Sequence, residues 1–402
     1  MEVYECILSL IAGVGVFILA MKLMSDSLTQ LAGEKLKNLL HNLAGNRIMG
    51  VLLGAGVTAI IQSSSATTVM VIGFVNANVM SLKQAASIII GSNIGTTVTG
   101  LLASLESLNI TLYLSLLTFI GVMLAFIKRF KKIANLLTGL GMIFIGLKLM
   151  SSACDDESIK NSFTEVLKEI DFPLFLISLG IIFTAIIQSS SAMTGIVIVM
   201  VGNKVMSLKN GLFITLGANV GTCVTALISI IGANMNSKRT AVIHLTFNIS
   251  GCLIFAPLLW IFSDSIINVL EYLLSKQEMQ IALFHLFFNI TTACIMTPLI
   301  KYLCMIAEYV VKEESTEFEQ FEPFLKEKKS LGIRNSTRDI RESSNKINIK
   351  IDKDEGFDDE IIDIKKKDSK DSEIDVITNN TKNEKNDEGI EVKDIDKNEN
   401  EE

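Results

Sequence analysis

Thr58-Ala-Ile-Ile-Gln-Ser-Ser-Ser-Ala66 recurs unchanged as Thr184-Ala-Ile-Ile-Gln-Ser-Ser-Ser-Ala192, and each copy lies inside an otherwise apolar stretch. A polar Gln-Ser-Ser-Ser break costs on the order of several kcal/mol in hydrocarbon unless it is hydrogen-bonded or lines a cavity. A break that occurs twice therefore indicates a binding site inside a membrane domain.

The duplication extends well beyond these nine residues. Gln188 minus Gln62 gives an offset of 126, and this offset holds without a gap from 13–100 to 139–226. Three polar blocks match at that offset: Lys22–Ser25 with Lys148–Ser151, Met80–Lys83 with Met206–Lys209, and Gly91–Thr96 with Gly217–Thr222. Paired broken segments in the two halves of a hydrophobic chain are typical of the substrate site of a secondary transporter.

Composition indicates a membrane domain followed by a polar tail. The 402 residues are 49% hydrophobic with a mean hydropathy of +0.45, although the last hundred residues are almost all polar, so residues 1 to about 304 must be polytopic. The six cysteines lie singly and predict packing rather than a disulfide or metal site. The sequence has no Walker loop and no arrangement of catalytic residues, so we expect no enzyme activity, no cofactor and no nucleic-acid partner.

The apolar runs predict an all-α fold. Runs that can cross a bilayer are 7–24, 84–104, 110–127, 134–151, 210–232, 241–262 and 281–303. The runs 49–75 and 173–201 carry the break, and each is too long for one helix and too short for two crossings, so we predict two re-entrant hairpins. The predicted domains are membrane repeat 1 (1–133), membrane repeat 2 with a final helix pair (134–304), a short amphipathic cytoplasmic helix (305–334) and a disordered charged tail (335–402).

Charge distribution predicts that the two repeats have inverted topology. Three full spans separate each element from its copy, and an odd number inverts the copy. The basic loop 128–132, the turn at Lys238 and the tail are then cytoplasmic, with a basic loop that holds Lys35 and Lys37. The acidic loop 155–157 and the N-terminus are outside. We predict a multi-pass protein of the plasma membrane.

The repeated polar blocks suit two kinds of ion. The N-terminus of a half-helix suits an oxyanion, while hydroxyl and unwound carbonyl oxygens suit Na⁺. The G-x-N-x-G-T blocks at 91–96 and 217–222 are followed by Thr99 and Thr225, so each block ends with two hydroxyls on one helix face. The alternative is helix packing through small residues, with the threonines bonding back to their own helix carbonyls.

A third, shorter repeat begins the last two spans. His244–Asn248 and His285–Asn289 share the pattern His-Leu-x-Phe-Asn at an offset of 41. We predict buried, hydrogen-bonded His and Asn side chains that orient packed helices, with a proton relay as the alternative. No Asp, Glu or Arg lies in the middle of a proposed span, which favours Na⁺ over H⁺ as the coupling ion.

Together, the two Gln-Ser-Ser-Ser segments and the G-x-N-x-G-T blocks resemble the sodium/phosphate cotransporter family, the type II group with its bacterial relatives, over about residues 7 to 303. The resemblance implies a sodium-coupled symporter that imports inorganic phosphate by alternating access, with both ions bound between the hairpins. The residues it implicates for phosphate are Gln62, Ser63, Ser64, Ser65, Asn93, Gln188, Ser189, Ser190 and Asn219. Those implicated for sodium are Thr96, Thr99, Gln188, Ser189, Ser191, Thr222 and Thr225, and no other metal is expected. Cys223 replaces Thr97 of the first copy and removes one hydroxyl.

Energetics bound the number of sodium ions. Moving a phosphate dianion inward against about 100 mV costs roughly 4.6 kcal/mol, while one Na⁺ returns roughly 3.7 kcal/mol from that voltage and a tenfold gradient. Two or three Na⁺ are therefore expected per phosphate. Two alternatives stay open: a carrier of another anion such as sulfate or a dicarboxylate, and a phosphate-sensing membrane regulator that acts through a cytoplasmic partner of its tail.

Overall fold

The computed structural model describes residues 3–43, 46–108, 111–154 and 172–312, and two short segments at 362–364 and 376–378. Within these residues the helices are α1 (Val3–Leu43), α2 (Arg47–Ile61), α3 (Ser64–Asn76), α4 (Leu82–Ser104), α5 (Thr111–Ala125), α6 (Lys131–Cys154), α7 (Pro173–Ile187), α8 (Ser190–Gly202), α9 (Leu208–Gly221), α10 (Cys223–Ser229), α11 (Met235–Ile261), α12 (Ser263–Leu273), α13 (Gln277–Met296) and α14 (Ile300–Val310). Short 3-10 helices lie at Leu105–Leu108 and Lys128–Phe130.

Residues 1–312 and 313–402 form two separate units. In the second unit, β1 (Ile362–Ile364) and β2 (Val376–Thr378) pair antiparallel, with Ile362 opposite Thr378. The rest of the predicted tail lies outside the described residues, as does the predicted amphipathic helix beyond its first residues, which belong to α14 and the turn after it. The predictions for these segments therefore stay predictions.

The described residues of the first unit are all-α, and their helices suit a membrane domain, as predicted. Six described helical segments are long and apolar enough to cross a bilayer: Tyr4–Ala32, Leu82–Ser104, Lys128–Cys154, Leu208–Ser229, Met235–Ile261 and Gln277–Met296. α5 has 15 residues and is about 22 Å long, which is short for hydrocarbon about 30 Å thick. The span predicted at 110–127 is thus shorter than expected.

Two predicted boundaries are wrong for local reasons. α1 continues to Leu43, so the predicted basic loop with Lys35 and Lys37 is helical, because residues 31–43 have one glycine, no proline and many good helix formers. The span predicted at 281–303 ends at Met296, because Pro298 has no backbone N–H to continue the helix.

The sequence copies α1 and α6 pack against each other in opposite directions. A side-chain carbon on Gly13 would lie 2.8 Å from the Met150 backbone nitrogen, and one on Gly139 would lie 2.8 Å from the Met24 backbone nitrogen. Gly139 is the copy of Gly13, and Met150 is the copy of Met24, so the contact is reciprocal. Residue numbers rise along one helix as they fall along the other, which makes the pair antiparallel. The inverted orientation of the full repeats in a bilayer stays a prediction.

The two broken segments are helical hairpins. α2 and α3 form the first hairpin, α7 and α8 form the second, and each breaks at its Gln-Ser pair. The predicted helix break is thus confirmed in both copies. Asn78 and Lys204, which follow the hairpins and are also 126 residues apart, have φ of 55° and 61°. The re-entrant path of the hairpins stays a prediction.

Glycines of the second repeated block bring α4 against α2 and α9 against α7. A side-chain carbon on Gly221 would lie 2.5 Å from the Ile181 carbonyl oxygen, and one on Gly95 would collide with the Ala55 carbonyl oxygen. Gly221 and Ile181 lie 126 residues after Gly95 and Ala55, so the two contacts are copies of each other. These glycines are therefore packing residues, which was the alternative to a binding role, and they fix where the hairpins lie.

Candidate functional site

The two hairpin tips have the same local geometry. Gln62 ends α2 at φ 60°, ψ 25°, and Gln188 ends α7 at φ 59°, ψ 24°. Their backbone N–H groups donate to Thr58 and Thr184 carbonyls at 2.7 Å. The left-handed conformation costs a residue other than glycine about 1–2 kcal/mol, so the surrounding structure must hold both glutamines in place.

The serine after each glutamine caps the next half-helix. Ser63 Oγ accepts from the Ala66 N–H at 3.1 Å, and Ser189 Oγ accepts from the Ala192 N–H at 3.2 Å. Because each cap uses a hydroxyl lone pair, the hydroxyl proton is left to donate. The first N–H groups of α3 and α8 have no partner within their own helix. Each tip therefore presents donors that suit an oxyanion.

The threonines that end the glycine blocks present hydrogen-bond acceptors, in contrast to the donors at the hairpin tips. Thr96 Oγ1 donates to the Ser92 carbonyl at 3.0 Å, and Thr222 Oγ1 donates to the Ala218 carbonyl at 3.0 Å. This is the back-bonding that the sequence offered as an alternative. It commits the hydroxyl proton and leaves the oxygen as an acceptor, which is the form that a hard cation coordinates.

The two hairpins meet through Ser65. Its Oγ donates to the Gln188 carbonyl at 3.4 Å, and it lies 3.2 Å from Thr225 Oγ1. Thr225 Oγ1 also lies 2.9 Å from the Thr222 carbonyl. A serine of the first copy thus joins the tip of the second copy to the threonine that follows its glycine block.

The copies differ in how their glutamine side chains are placed. Gln62 is buried, its Nε2 donates to the Ala59 carbonyl at 2.5 Å, and its Oε1 accepts from Thr99 Oγ1 at 2.9 Å. Gln188 is exposed. Since the nine-residue local sequences are identical, the difference comes from residues outside them, such as Thr99 beside Gln62.

The asparagines of the two G-x-N-x-G-T blocks, Asn93 and Asn219, form hydrogen bonds outside the hairpin tips. Asn93 donates to the Ile89 carbonyl of its own helix at 3.1 Å. Asn219 Nδ2 donates to Asn289 Oδ1 at 3.0 Å, and its Oδ1 lies 3.1 Å from His285 Nε2. The amide groups proposed to bind phosphate are thus already hydrogen-bonded, Asn219 to the last long helix.

The histidines of the third repeat are equally buried but differently bonded. His285 contacts Asn219, as predicted for a hydrogen-bonded pair. The His244 carbonyl accepts from Asn248 at 3.1 Å and from the Cys223 thiol at 3.6 Å, while its ring nitrogens have no partner among the described residues. Only one of the two predicted His side-chain contacts is therefore present.

The exits of the hairpins are tied to different helices. Asn234, the N-cap of α11, donates its backbone N–H to Asn76 Oδ1 and its side-chain N–H to the Asn76 carbonyl, both at 2.9 Å. After the second hairpin, Asn203 Nδ2 donates to Ser151 Oγ of α6 at 3.2 Å. Neither contact could be predicted from the sequence.

The structure brings several of the predicted site residues into direct contact. Ser65, Gln188 and Thr225 form one set, and Gln62 and Thr99 form another. Ser64, Ser190 and Ser191 are buried at the tips. Within the described residues, no three His, Cys, Asp or Glu side chains could hold a metal ion together. The candidate site is built from neutral hydroxyl, amide and backbone groups.

Comparison with known proteins gives a consistent family. The sequence model of the Na⁺/Pi-cotransporter family matches residues 16–152 and 157–275. "Uncharacterized protein YqeW" of Bacillus subtilis is 30% identical over 287 residues, which cover 70% of this chain and 91% of that protein. No solved structure matches the chain.

Two further relatives have names that mention phosphate. "Putative inorganic phosphate export protein YjbB" of Escherichia coli K12 is 26% identical over 322 residues, which cover 79% of this chain but 58% of that protein. Human "Sodium-dependent phosphate transport protein 2B" is 30% identical over 141 residues, which cover 31% of this chain and 20% of that protein.

Proposed function

The chain belongs to the Na⁺/Pi-cotransporter family, and we propose that it carries inorganic phosphate together with Na⁺ through a site between its two hairpin tips. The observation that carries the proposal is the position of Ser65 between the Gln188 carbonyl and Thr225. These contacts join the tips of both copies with a threonine of the second copy.

The chemistry of the site supports binding of both ions together. Cap hydroxyls and free N–H groups at the tips can donate to phosphate oxygens, while Thr222 and Thr225 oxygens can coordinate Na⁺. Neither set carries a formal charge. A phosphate anion and Na⁺ bound side by side neutralise each other, so each ion lowers the desolvation cost of the other.

The unlike states of the two glutamines support transport by alternating access. In a carrier made of inverted repeats, one copy closes its side of the site while the other is open, and the copies then exchange states. Gln62 is buried and bonded to Thr99, whereas Gln188 is exposed. The antiparallel packing of α1 and α6 supports the inversion.

Energetics favour import. Two Na⁺ moving down about 100 mV and a tenfold gradient release roughly 7.4 kcal/mol, against roughly 4.6 kcal/mol for a phosphate dianion. The remainder, roughly 2.8 kcal/mol, corresponds to about 100-fold accumulation inside. The Escherichia coli relative is named for export, which the same cycle performs when the outward phosphate gradient exceeds this limit.

We place the protein in the cell membrane with its N-terminus outside and its tail in the cytoplasm. The support is the cluster of Lys128, Arg129, Lys131 and Lys132 between α5 and α6, which the positive-inside rule assigns to the cytoplasm. The partners of the membrane domain are then phosphate, Na⁺ and lipid.

Reconstitution tests the proposal directly. Purified protein in liposomes is given labelled phosphate outside, with an inward Na⁺ gradient or with choline in its place, and at a membrane voltage set by valinomycin and K⁺. We expect phosphate uptake that requires Na⁺ and rises with an inside-negative voltage. Equal uptake in choline would refute Na⁺ coupling. Stronger competition by sulfate or succinate than by unlabelled phosphate would identify another anion as the substrate.

A further inference from the structure

Asn219, in the second glycine block, is held by two residues of α13. Its Nδ2 donates to Asn289 Oδ1 at 3.0 Å, and its Oδ1 lies 3.1 Å from His285 Nε2. All three side chains are at most 2% exposed. Asn219 and His285 are 66 residues apart in the sequence, so this is a tertiary contact between α9 and α13.

The hydrogen-bond directions in this group follow from one backbone carbonyl. Asn289 Nδ2 donates to the His285 carbonyl at 2.8 Å, and because a carbonyl only accepts, Asn289 must present Oδ1 to Asn219. Asn219 then presents Nδ2 to Asn289 and Oδ1 to His285. His285 Nε2 must therefore carry a proton and donate it, which fixes the tautomer of a neutral ring.

Asn219 lies at the end of α9, three residues before Thr222 and six before Thr225, the threonines proposed to bind sodium. α9 ends at Gly221, Thr222 begins the break, and Thr225 follows with its contact to Ser65. A rotation of the Asn219 turn would move both threonine oxygens. Asn93, the matching residue of the first copy, bonds only within α4 in the described contacts, so this connection belongs to the second copy.

We propose that His285 and Asn289 are positioning residues for sodium binding: they fix Asn219, and through it the Thr222 turn, in the geometry that Na⁺ requires. The proposal rests on the proposed function. It predicts that loss of the His285 bond weakens Na⁺ binding more than phosphate binding, and that a side chain that restores the donor at the Nε2 position restores Na⁺ affinity.

Two substitutions at His285 test the donor. His285→Leu removes it, while His285→Gln places an amide nitrogen close to the position of Nε2. A net hydrogen bond is worth about 0.5–1.5 kcal/mol, so we expect His285→Leu to raise the apparent KM for Na⁺ about 3- to 10-fold. The KM for phosphate at saturating Na⁺ should change less than about twofold, and His285→Gln should return the Na⁺ KM most of the way to the wild-type value.

His244→Leu is the matched control. His244 has the same motif and burial, but its ring has no hydrogen-bond partner among the described residues. We expect it to lower the Tm in detergent as His285→Leu does, because both remove a buried ring, while leaving the Na⁺ KM unchanged. If His285→Leu is not recovered from the membrane, Asn289→Ala removes the other bond to Asn219 and carries the same expectation.

A second measurement separates this proposal from the proposed function. The rise in Tm on replacing choline chloride with sodium chloride reports Na⁺ binding without transport. His285→Leu should reduce this rise, and His244→Leu should not. Equal Na⁺ KM values and equal Tm shifts in His285→Leu and wild type would overturn the positioning role, even where wild-type uptake is Na⁺-dependent. Absence of Na⁺-dependent uptake in wild type would overturn the proposed function instead.

Discussion

Gly221→Ala is expected to separate α7 from α9 and to disable the site. The added carbon would lie 2.5 Å from the Ile181 carbonyl oxygen and 2.7 Å from Thr184 Cβ, whereas an ordinary contact is about 3.5 Å or more. The two helices must therefore move apart by roughly 1 Å, and overpacking of this kind costs about 1–3 kcal/mol. α7 ends at Gln188, so the same movement would break its 3.4 Å contact with Ser65.

The assay for Gly221→Ala combines thermal unfolding in detergent with sodium-dependent phosphate uptake in liposomes. Gly56→Ala is the control, because Gly56 is also in a hairpin helix but a side-chain carbon there meets nothing within 4 Å. We expect Gly56→Ala to keep its uptake and to gain up to about 1 kcal/mol from better helix propensity. If Gly221→Ala has the same thermal stability and phosphate uptake as the wild type, the close approach of α7 and α9 does not determine the position of the second hairpin tip.

Three other predictions concern the tips and the tail. Ser65→Ala removes the contacts of Ser65 with Gln188 and with Thr225 and should raise the phosphate KM about tenfold, while Ser178→Ala, which loses only a bond within α7, should not. Thr99→Val leaves the buried Gln62 oxygen without its donor, at a cost of about 1–3 kcal/mol. In a Cys294→Ser background, it should therefore speed thiol labelling of Ser64→Cys about 5- to 150-fold. Thr96→Val is the control, because the Thr96 hydroxyl bonds within α4, and it should leave the labelling rate unchanged. Deletion of 335–402 should leave the kinetics of phosphate uptake unchanged, and lost transport with normal membrane levels would contradict this; the regulatory alternative instead predicts that the deletion impairs signalling output.

Local features of the fold could be predicted from the sequence. The helix break at each Gln-Ser-Ser-Ser segment follows from polar residues that are adjacent in the chain, and the 126-residue offset showed that it occurs twice. The helix ends at Leu43 and Met296 were missed because they depend on weak propensities and on one proline.

The tertiary features of the site could not be predicted. Gln62 and Gln188 have identical neighbours over nine residues, so their different exposure depends on contacts with residues outside these copies. The contact of Asn219 with His285 depends on α9 packing beside α13, and that pairing leaves no periodic signal. The sequence flagged His285 and Asn289 as a repeat but did not identify their partner.

The hydrogen bonds of Asn76 with Asn234 and of Asn203 with Ser151 determine which helices move with each hairpin. Hydrogen bonds at the end of each hairpin link its movement to that of another helix. A shift of α3 would be transmitted to α11 through Asn234, and a shift of α8 to α6 through Ser151. The two hairpins are thus attached to different helices, and they contact each other at Ser65.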